Sequence, residues 1–433
     1  MGYSPDERPA GIESRLASLL HHPTCQDLLR IVGQRECHLV GGALRDIALG
    51  RQPRDIDVIV AGDGAGVAQR LADRLGARSI RLGGNRFAAY RVTTNQLPID
   101  IWDRGAESLD DDLRRRDFTI HSFALDIHTG VLSDPYHGLH DLTEGCLRMT
   151  TSASFAEDPL RVLRLCRLKA QFNTFRIDTA TRDKARDSVT DLTGVAKERI
   201  RTELELTLNQ RRVGPAVELW IELGVFPQFI LGLSSSPARR QQIESELPPT
   251  LQALEQAAEN MPSHFDLFAA RVALILILVN RTSTRTCAAA VVSLQQMGYL
   301  TKARARQVSR LLEAGELPVE ESGQRWFLYR MGDLWPAALS LSAALSTRAG
   351  GIGAESNPLA VAIELATEKA EEVFDPPVLI TGEELQRHLQ IEPGPFLGRT
   401  LAAIRRQQIE GRITTRTDAR ELAQHLHAAD GAE

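Results

Sequence analysis

Strand signals crowd into the first 150 or so residues of this 433-residue chain and almost vanish afterwards. Between Cys37 and about Thr150, strand-like runs at Asp57–Val60, Phe87–Val92 and Pro98–Trp102 accompany a stretch carrying Val67, Ala68, Leu71, Ala72 and Leu75 at helical spacing. Beyond Thr150, Leu, Ala, Glu and Arg recur with helical periodicity to the end. Two breaks interrupt them, Gly-Leu-Ser-Ser-Ser-Pro at 232–237 and Arg-Ala-Gly-Gly-Ile-Gly at 348–353 running on to Pro358. The first 35 or so residues read as a short helical lead-in. The pattern predicts an α+β head with a small mixed sheet, followed by an all-α remainder. No internal repeat or extended low-complexity tract is visible. The length alone is too great for one compact core and suggests about two to four domains.

Composition narrows the class. The chain is 43% hydrophobic and 25% charged, which is ordinary for a soluble globular protein. No apolar run reaches the length of a membrane span, and the run from Val272 to Val279 reads as a buried helix. No basic-then-apolar leader stands at the N-terminus, so a cytoplasmic location is expected. Cys25, Cys37, Cys146, Cys166 and Cys287 form no Cys-x-x-Cys pair, which argues against a structural zinc site and for buried thiols. The net charge of −5 is awkward for a nucleic-acid partner. Charge is segregated, however. Residues 399 to 420 carry Arg399, Arg405, Arg406, Arg412, Arg416 and Arg420 against Glu410 and Asp418. That excess reads either as a contact surface for an RNA backbone or as a solvated helical face.

The chemistry concentrates upstream. Leu39-Val-Gly-Gly-Ala-Leu-Arg-Asp46 places a Gly-Gly turn ahead of a helix, and Asp55-Ile-Asp57 follows within the apolar run Ile56, Val58, Ile59 and Val60. In a strand, residues two apart share a face, so Asp55 and Asp57 present two carboxylates side by side. Their repulsion is relieved by a divalent cation with oxygen ligands. The Gly-Gly turn offers backbone N–H groups and a helix N-terminus to a polyphosphate. Such a carboxylate pair beside a phosphate cradle is equipment for nucleotidyl transfer.

Gly-Gly-x-x-Arg-Asp, then Leu49-Gly50, then Asp-x-Asp resembles the head of the class II tRNA nucleotidyltransferase and bacterial poly(A) polymerase family of the polymerase-β superfamily. The resemblance implies Mg²⁺ at Asp55 and Asp57, with Asp100 on the strand Ile99-Asp-Ile101 as a third carboxylate. Asp103 is also available, and an edge-strand acid facing water is the alternative reading of Asp100. Arg104 stands near the family's usual arginine. It further implies that Gly41, Gly42 and Arg45 hold triphosphate. Arg114-Arg-Arg-Asp-Phe-Thr-Ile120 matches the family's Arg-Arg-Asp-Phe-Thr-Ile motif at Arg115, Arg116 and Asp117, which implies phosphate and ribose contacts. The family continues with Asn-Ala, its asparagine lying by the nucleotide, whereas this chain has His121-Ser122, and the resemblance implies that His121 belongs to the nucleotide-binding set. A neutral histidine donates and accepts hydrogen bonds as an amide does, with a pH-dependent charge added. Asp134-Pro-Tyr-His-Gly138 and Asp141-Leu142 follow the family's closing head segment, in a structural role.

Ala156-Glu-Asp-Pro-Leu-Arg161-Val-Leu-Arg164 reads, by itself, as a capped helix start. Beside the head motifs it resembles the family's Glu-Asp-x-x-Arg nucleotide-selecting motif, with Asp158 and Arg161 on one helix face. An acceptor–donor pair matches the amino donor and ring-nitrogen acceptor that cytosine and adenine share, so it would reject U and G without a template. Arg164 is counted with the nucleotide-binding set. Lys197-Glu-Arg-Ile-Arg201 and Glu218–Phe226 resemble the family's neck, and Pro377 to about Ala423 its tail. The intervening part matches nothing, and it lacks the His-Asp pair of the phosphohydrolase fused to some relatives.

Taken together, the sequence predicts a head at 1–150, a neck at 151–231, a body at 232–376 and a tail at 377–433. The resemblance implies Mg²⁺-dependent addition of C and/or A to the 3′ acceptor end of tRNA from CTP and ATP. Arg399, Arg405, Arg406 and Arg412 would contact the RNA. No membrane partner is expected and no protein partner can be inferred. A specialist adding only A or only CC, a poly(A) polymerase and a catalytically decayed RNA-binding paralogue are the alternatives. The run after Asp57, Val-Ile-Val-Ala-Gly-Asp-Gly-Ala, lacks an Ala-Thr-rich opening associated with many full CCA-adding relatives and favours a specialist, particularly an A-adding one.

Overall fold

The computed structural model describes residues 11–82, 89–94, 97–225, 237–261, 265–280, 284–348 and 358–430. The breaks expected at 232–236 and 349–357, and Phe87 of one expected strand, lie outside the described residues. The chain forms two compact units, one of residues 1–196 with 222–225 and one of 197–221 with 226–433.

The first unit is the predicted α+β head continued by helices. Its elements are α1 (Ile12–Leu19), α2 (Pro23–Val32), β1 (Cys37–Val40), α3 (Gly41–Ala48), β2 (Ile56–Val60), α4 (Gly64–Leu75), β3 (Arg78–Leu82), β4 (Ala89–Thr93), β5 (Ile99–Asp103), α5 (Leu109–Arg114), a 3₁₀ turn (Thr119–His121), β6 (Ala124–Asp126) and β7 (Leu132–Ser133). The strands build one mixed sheet in the order β3-β4-β5-β2-β1-β6-β7. β2 runs parallel to β5 and antiparallel to β1, so the strand after the Gly-Gly turn occupies the middle. Its run Ile56, Val58, Ile59 and Val60 is buried, as a central strand covered on both faces requires.

Local chemistry sets the boundaries that matter for the site. Ser108 and Asp111 form a capping box at the start of α5, with Asp110, Asp111 and Asp112 in the first turn, where helix amides favour negative charge. The cap fixes where α5 begins; the helix closes at Arg114, with Arg115 as its C-cap residue and Arg116 next in the chain. The segment from Asp117 to Ser122 is then tied down on several sides. The Thr119 hydroxyl donates to Asp141 at 2.7 Å, and the Ser122 and Thr150 hydroxyls lie 2.8 Å apart. Asp134 accepts from the amides of Gly138 and Leu139, and a side chain at Gly138 would stand 2.0 Å from the Thr119 carbonyl. The Asp134–Gly138 and Asp141 segment is therefore structural, as its sequence suggested.

After Thr150 the described chain is helical apart from Arg176–Ile177, which pairs with Cys146–Leu147. Three further helices of this unit matter for the site, α6 (Gly138–Thr143), α7 (Ser154–Glu157) and α8 (Arg161–Gln171). The second unit is built from helices, including Phe268–Asn280, whose residues Phe268 to Leu276 are buried throughout. Arg271 is 1% exposed there, donates to the carbonyls of Leu208, Gln210 and Arg211, and pairs with Glu255 at 2.9 Å. The last three helices, Gly382–Leu389, Pro395–Ile409 and Arg416–Asp430, close around Leu379, Ile380, Leu385, Ile404, Ala419 and Ala423. All five cysteines are buried and free. Among the described residues, no helix is long and apolar enough to cross a membrane.

Candidate active site

Asp57 sits in β2 with Val40 opposite it on one neighbour and Asp100 opposite it on the other. Asp55 precedes the strand, which begins at Ile56, so strand periodicity alone does not place it. The turn from β1 into α3 passes directly over Asp57. Gly41 has φ +77°, and a Cβ there would lie 2.6 Å from Asp57 Oδ2 and 3.1 Å from an Arg116 guanidinium nitrogen. Only glycine takes that backbone conformation without strain and lets the turn approach so closely. Cradle, carboxylate and arginine thus meet at one point.

Burial pushes the Asp57 carboxyl up to about 6; Asp55 and Asp100 push the same way, while Arg116 opposes them. Asp55 is raised too, by burial and then by Asp100. Crowded, partly desolvated carboxylates are what a hard divalent cation relieves, so the donor set suits such an ion. The predicted third ligand is placed differently. Arg91 on β4 holds Asp100 in a two-pronged contact at 2.7 Å and 2.7 Å, and approaches Asp55 at 4.0 Å. Among the described residues, no three acidic, histidine or cysteine side chains converge as a metal's ligands would. The strand pairing puts Asp100 beside Asp57 as predicted, but the guanidinium on the next strand engages it. Asp103 accepts from the amides of Gly62 and Gly64 and braces the turn into α4. Arg104 bonds to Glu36 and the Glu107 carbonyl.

The arginine cluster is ordered by carboxylates. Arg116 donates from two nitrogens to Asp112 at 3.1 and 3.0 Å, and Arg115 pairs with Glu107 at 2.5 Å. Arg45 donates to Asp46 at 2.8 and 2.6 Å and stands over the Phe172 ring, 5.2 Å from its centroid. Its remaining prong meets His121 Nε2 at 2.5 Å, while His121 Nδ1 lies 2.8 Å from Asp117. Burial pushes the Asp117 carboxyl up, but His121, Arg164 at 3.6 Å and the Phe118 amide outweigh it and hold the group well below the usual carboxylate range. Burial lowers the His121 imidazole, with Asp117 opposing and Arg45 reinforcing.

Asp158 and Arg161 depart from the expected helix face. Asp158 has extended backbone (φ −148°, ψ 96°) and α8 begins only at Arg161, whose amide donates to the Asp158 carbonyl at 3.0 Å. Proline at 159 disfavours helix for the residue before it, which explains the offset. Arg161 is buried, donates to the Ser154 carbonyl and hydroxyl at 3.0 and 2.7 Å, and bonds to the Arg115 carbonyl. The base-selecting candidate is therefore wired to the arginine cluster.

Sequence reasoning passed over Arg91, Trp102 and Phe172. The Trp102 indole N–H points to Asp57 at 3.5 Å. Its signal was available, since it lies two residues beyond Asp100 in one strand. Arg91 and Phe172 carry no local signal and become visible only through strand pairing and helix packing. In the second unit, Arg399 stands over Phe396, Arg405 over Tyr329 and Arg406 over Trp326. Arg405 also donates to the Pro376 carbonyl at 2.5 Å, and Arg406 and Arg412 flank the buried Glu410 at 2.8 and 3.4 Å.

Three family descriptions match the chain: the poly(A) polymerase head domain over 37–148, the "Probable RNA and SrmB-binding site of polymerase A" over 174–236, and tRNA nucleotidyltransferase domain 2 over 288–421. The chain is 28% identical to a CC-adding tRNA nucleotidyltransferase of Synechocystis, over 90% of this chain and 93% of that one. It is 29% identical to an A-adding tRNA nucleotidyltransferase of Deinococcus radiodurans, over 89% and 94%. Its fold is similar to that of a Thermotoga maritima CCA-adding enzyme solved with tRNA, with TM-score 0.66 and 21% identity over 96% of this chain and 98% of that one. A CCA-adding enzyme solved with ATP gives TM-score 0.69 at 21% identity, over 97% of each chain. With its cradle, carboxylates and arginine cluster assembled in the head, this chain belongs to the class II tRNA nucleotidyltransferase and bacterial poly(A) polymerase family of enzymes.

Proposed function

We propose that this chain adds C and/or A to the 3′ end of tRNA from CTP and ATP, without a nucleic-acid template, as a CCA-adding or CCA-repair enzyme that uses Mg²⁺. The observation that carries the reading is the meeting of Gly41, Asp57 and Arg116, which sets a phosphate-binding turn against a charge-stressed carboxylate. Asp55 and Asp57 would hold the metal, and Mg²⁺ suits a site with few protein carboxylates because triphosphate oxygens and waters complete its shell. When bound, the ion supplies Lewis-acid polarisation of the phosphoryl group and activation of the attacking hydroxyl. Asp100, braced by Arg91, stands beside that pair. Gly41, Gly42 and Arg45 receive the triphosphate. Arg115 and Arg116 clamp phosphates, and Asp117 accepts from a ribose hydroxyl. Asp158 and Arg161 read the base edge, with Arg164 holding Asp117 in place. The four segments proposed as head, neck, body and tail would leave recognition of the acceptor arm to the helical part, by shape and backbone contacts.

A partial specialist is the second reading. Two relatives that match the chain nearly end to end are a CC-adding and an A-adding enzyme, and the run after Asp57 points the same way. One experiment separates the readings. ATP and CTP, alone and together, are offered to tRNAs ending before CCA, after C and after CC, and product ends are sequenced. Completion to CCA and a stop marks a full CCA-adding enzyme. A single A on the CC end marks an A-adding specialist, CTP-only addition its CC-adding counterpart, and an open A ladder a poly(A) polymerase. No incorporation despite tRNA binding overturns the enzymatic proposal.

A further inference from the structure

His121 stands where this chain departs from the family's Asn-Ala continuation, and its surroundings show what a histidine does there. Its side chain is 13% exposed and joins two motifs that lie far apart in sequence. On one side is Arg45 of the phosphate-binding turn, at 2.5 Å from Nε2; on the other is Asp117 of the Arg-Arg-Asp motif, at 2.8 Å from Nδ1. A guanidinium only donates and an ionised carboxylate only accepts. One tautomer satisfies both, the neutral ring with its proton on Nδ1 and its lone pair on Nε2. The charged groups acting on the ring are Asp117 just before its turn, Arg45 from α3 and Arg167 from α8; Asp46 pairs with Arg45, and Arg164 with Asp117, one step further out.

We propose that His121 is a positioning residue for the incoming nucleoside triphosphate, a neutral bridge that fixes Arg45 against Asp117, and that nucleotide capture weakens when the ring takes up a second proton. The second proton would occupy Nε2, abolish its lone pair and set an imidazolium against the Arg45 guanidinium. Arg45 would then lose the contact that aims it, while Asp117 would keep its donor on Nδ1. An asparagine also supplies one acceptor and one donor, but its charge does not change with pH. The inference rests on the nucleotide-binding role proposed for the site.

The test compares wild type with His121→Asn and His121→Ala, measuring ATP and CTP affinity by calorimetry and KM and kcat across pH about 4 to 8, a range carried below the ordinary histidine titration because burial lowers this ring. Asp57 and the triphosphate titrate over the same range in all three proteins, so the comparison between them isolates residue 121. In wild type, KM for nucleotide should rise about tenfold per pH unit once the ring is protonated, with kcat far less affected. His121→Asn should flatten that rise, and His121→Ala should raise KM about tenfold even near neutrality, as loss of a hydrogen bond to a charged group does. Imidazole ¹⁵N spectra at neutral pH should show the proton on Nδ1. Parallel KM profiles for wild type and His121→Asn, or a proton on Nε2, overturn the bridge. If ATP binds with this pH behaviour but no tRNA is extended, the proposed reaction fails and the bridge stands. Binding of neither nucleotide at any pH overturns both.

Discussion

At the scale of single residues, the site stores unfavourable charge in a few carboxylates. Asp57 is raised from its ordinary value to about 6, chiefly by burial. Between the ordinary carboxylate pKa and about 6 the native state binds more protons than the unfolded state, so without a cation this group makes stability fall as pH rises through that window. Asp57→Asn should therefore raise the Tm of metal-free protein at neutral pH by a few degrees, and the difference should fade as pH approaches about 4. Adding Mg²⁺ should stabilise wild type more than the variant, and incorporation should be abolished in Asp57→Asn and Asp55→Ala. Thermal melts with and without Mg²⁺ check the first part, and retained incorporation would remove these carboxylates from the metal site. Arg161 presents a sharper choice because it also braces the Arg115 carbonyl and Ser154. If it reads the base, Arg161→Ala relaxes discrimination against UTP and GTP. An equal loss with all four nucleotides would reduce it to a brace.

At the scale of elements, the critical joint is the turn from β1 into α3. Gly41→Ala requires a left-handed backbone from a residue with a Cβ, costing roughly 1–2 kcal/mol, and also drives that Cβ into Asp57 and Arg116. Incorporation should fall by about a hundredfold or more, a barrier change of roughly 3 kcal/mol, while circular dichroism stays native. Near-normal turnover would show that the turn does not set the phosphate position. The neighbouring strands explain why some site residues were readable and others were not. Asp57 and Asp100 announce themselves as acids inside apolar runs, and a period of two carries Trp102 onto the Asp100 face. Arg91 is an arginine in an unremarkable strand until β4 pairs with β5 and sets it opposite Asp100.

At the scale of the whole molecule, the basic segment near the C-terminus carries the RNA-binding proposal. Arg406 and Arg412 already serve the buried Glu410, so removing both leaves a buried carboxylate without its cations, which destabilises the fold. Arg399→Gln is the cleaner test. It should lower Tm far less than that double change and reduce the salt slope of tRNA binding by about one. An unchanged slope returns Arg399 to ordinary surface. The quadruple change of Arg399, Arg405, Arg406 and Arg412 to Gln should weaken binding further and flatten its salt dependence, with lower stability as its accompaniment.

The sequence by itself determined the α+β head, the helical remainder, the Gly-Gly turn, the place of Asp57 inside an apolar strand and the Arg-Arg-Asp segment, because periodicity, turn chemistry and short motifs act over a few residues. Tertiary structure decided what those residues touch. It moved Asp158 off the helix, since proline holds its backbone extended. It gave Asp100 to Arg91 through the pairing of β4 with β5. It set His121 between Arg45 and Asp117, 76 residues away on one side and four on the other. Packing and register bring such partners together, and no local pattern records them.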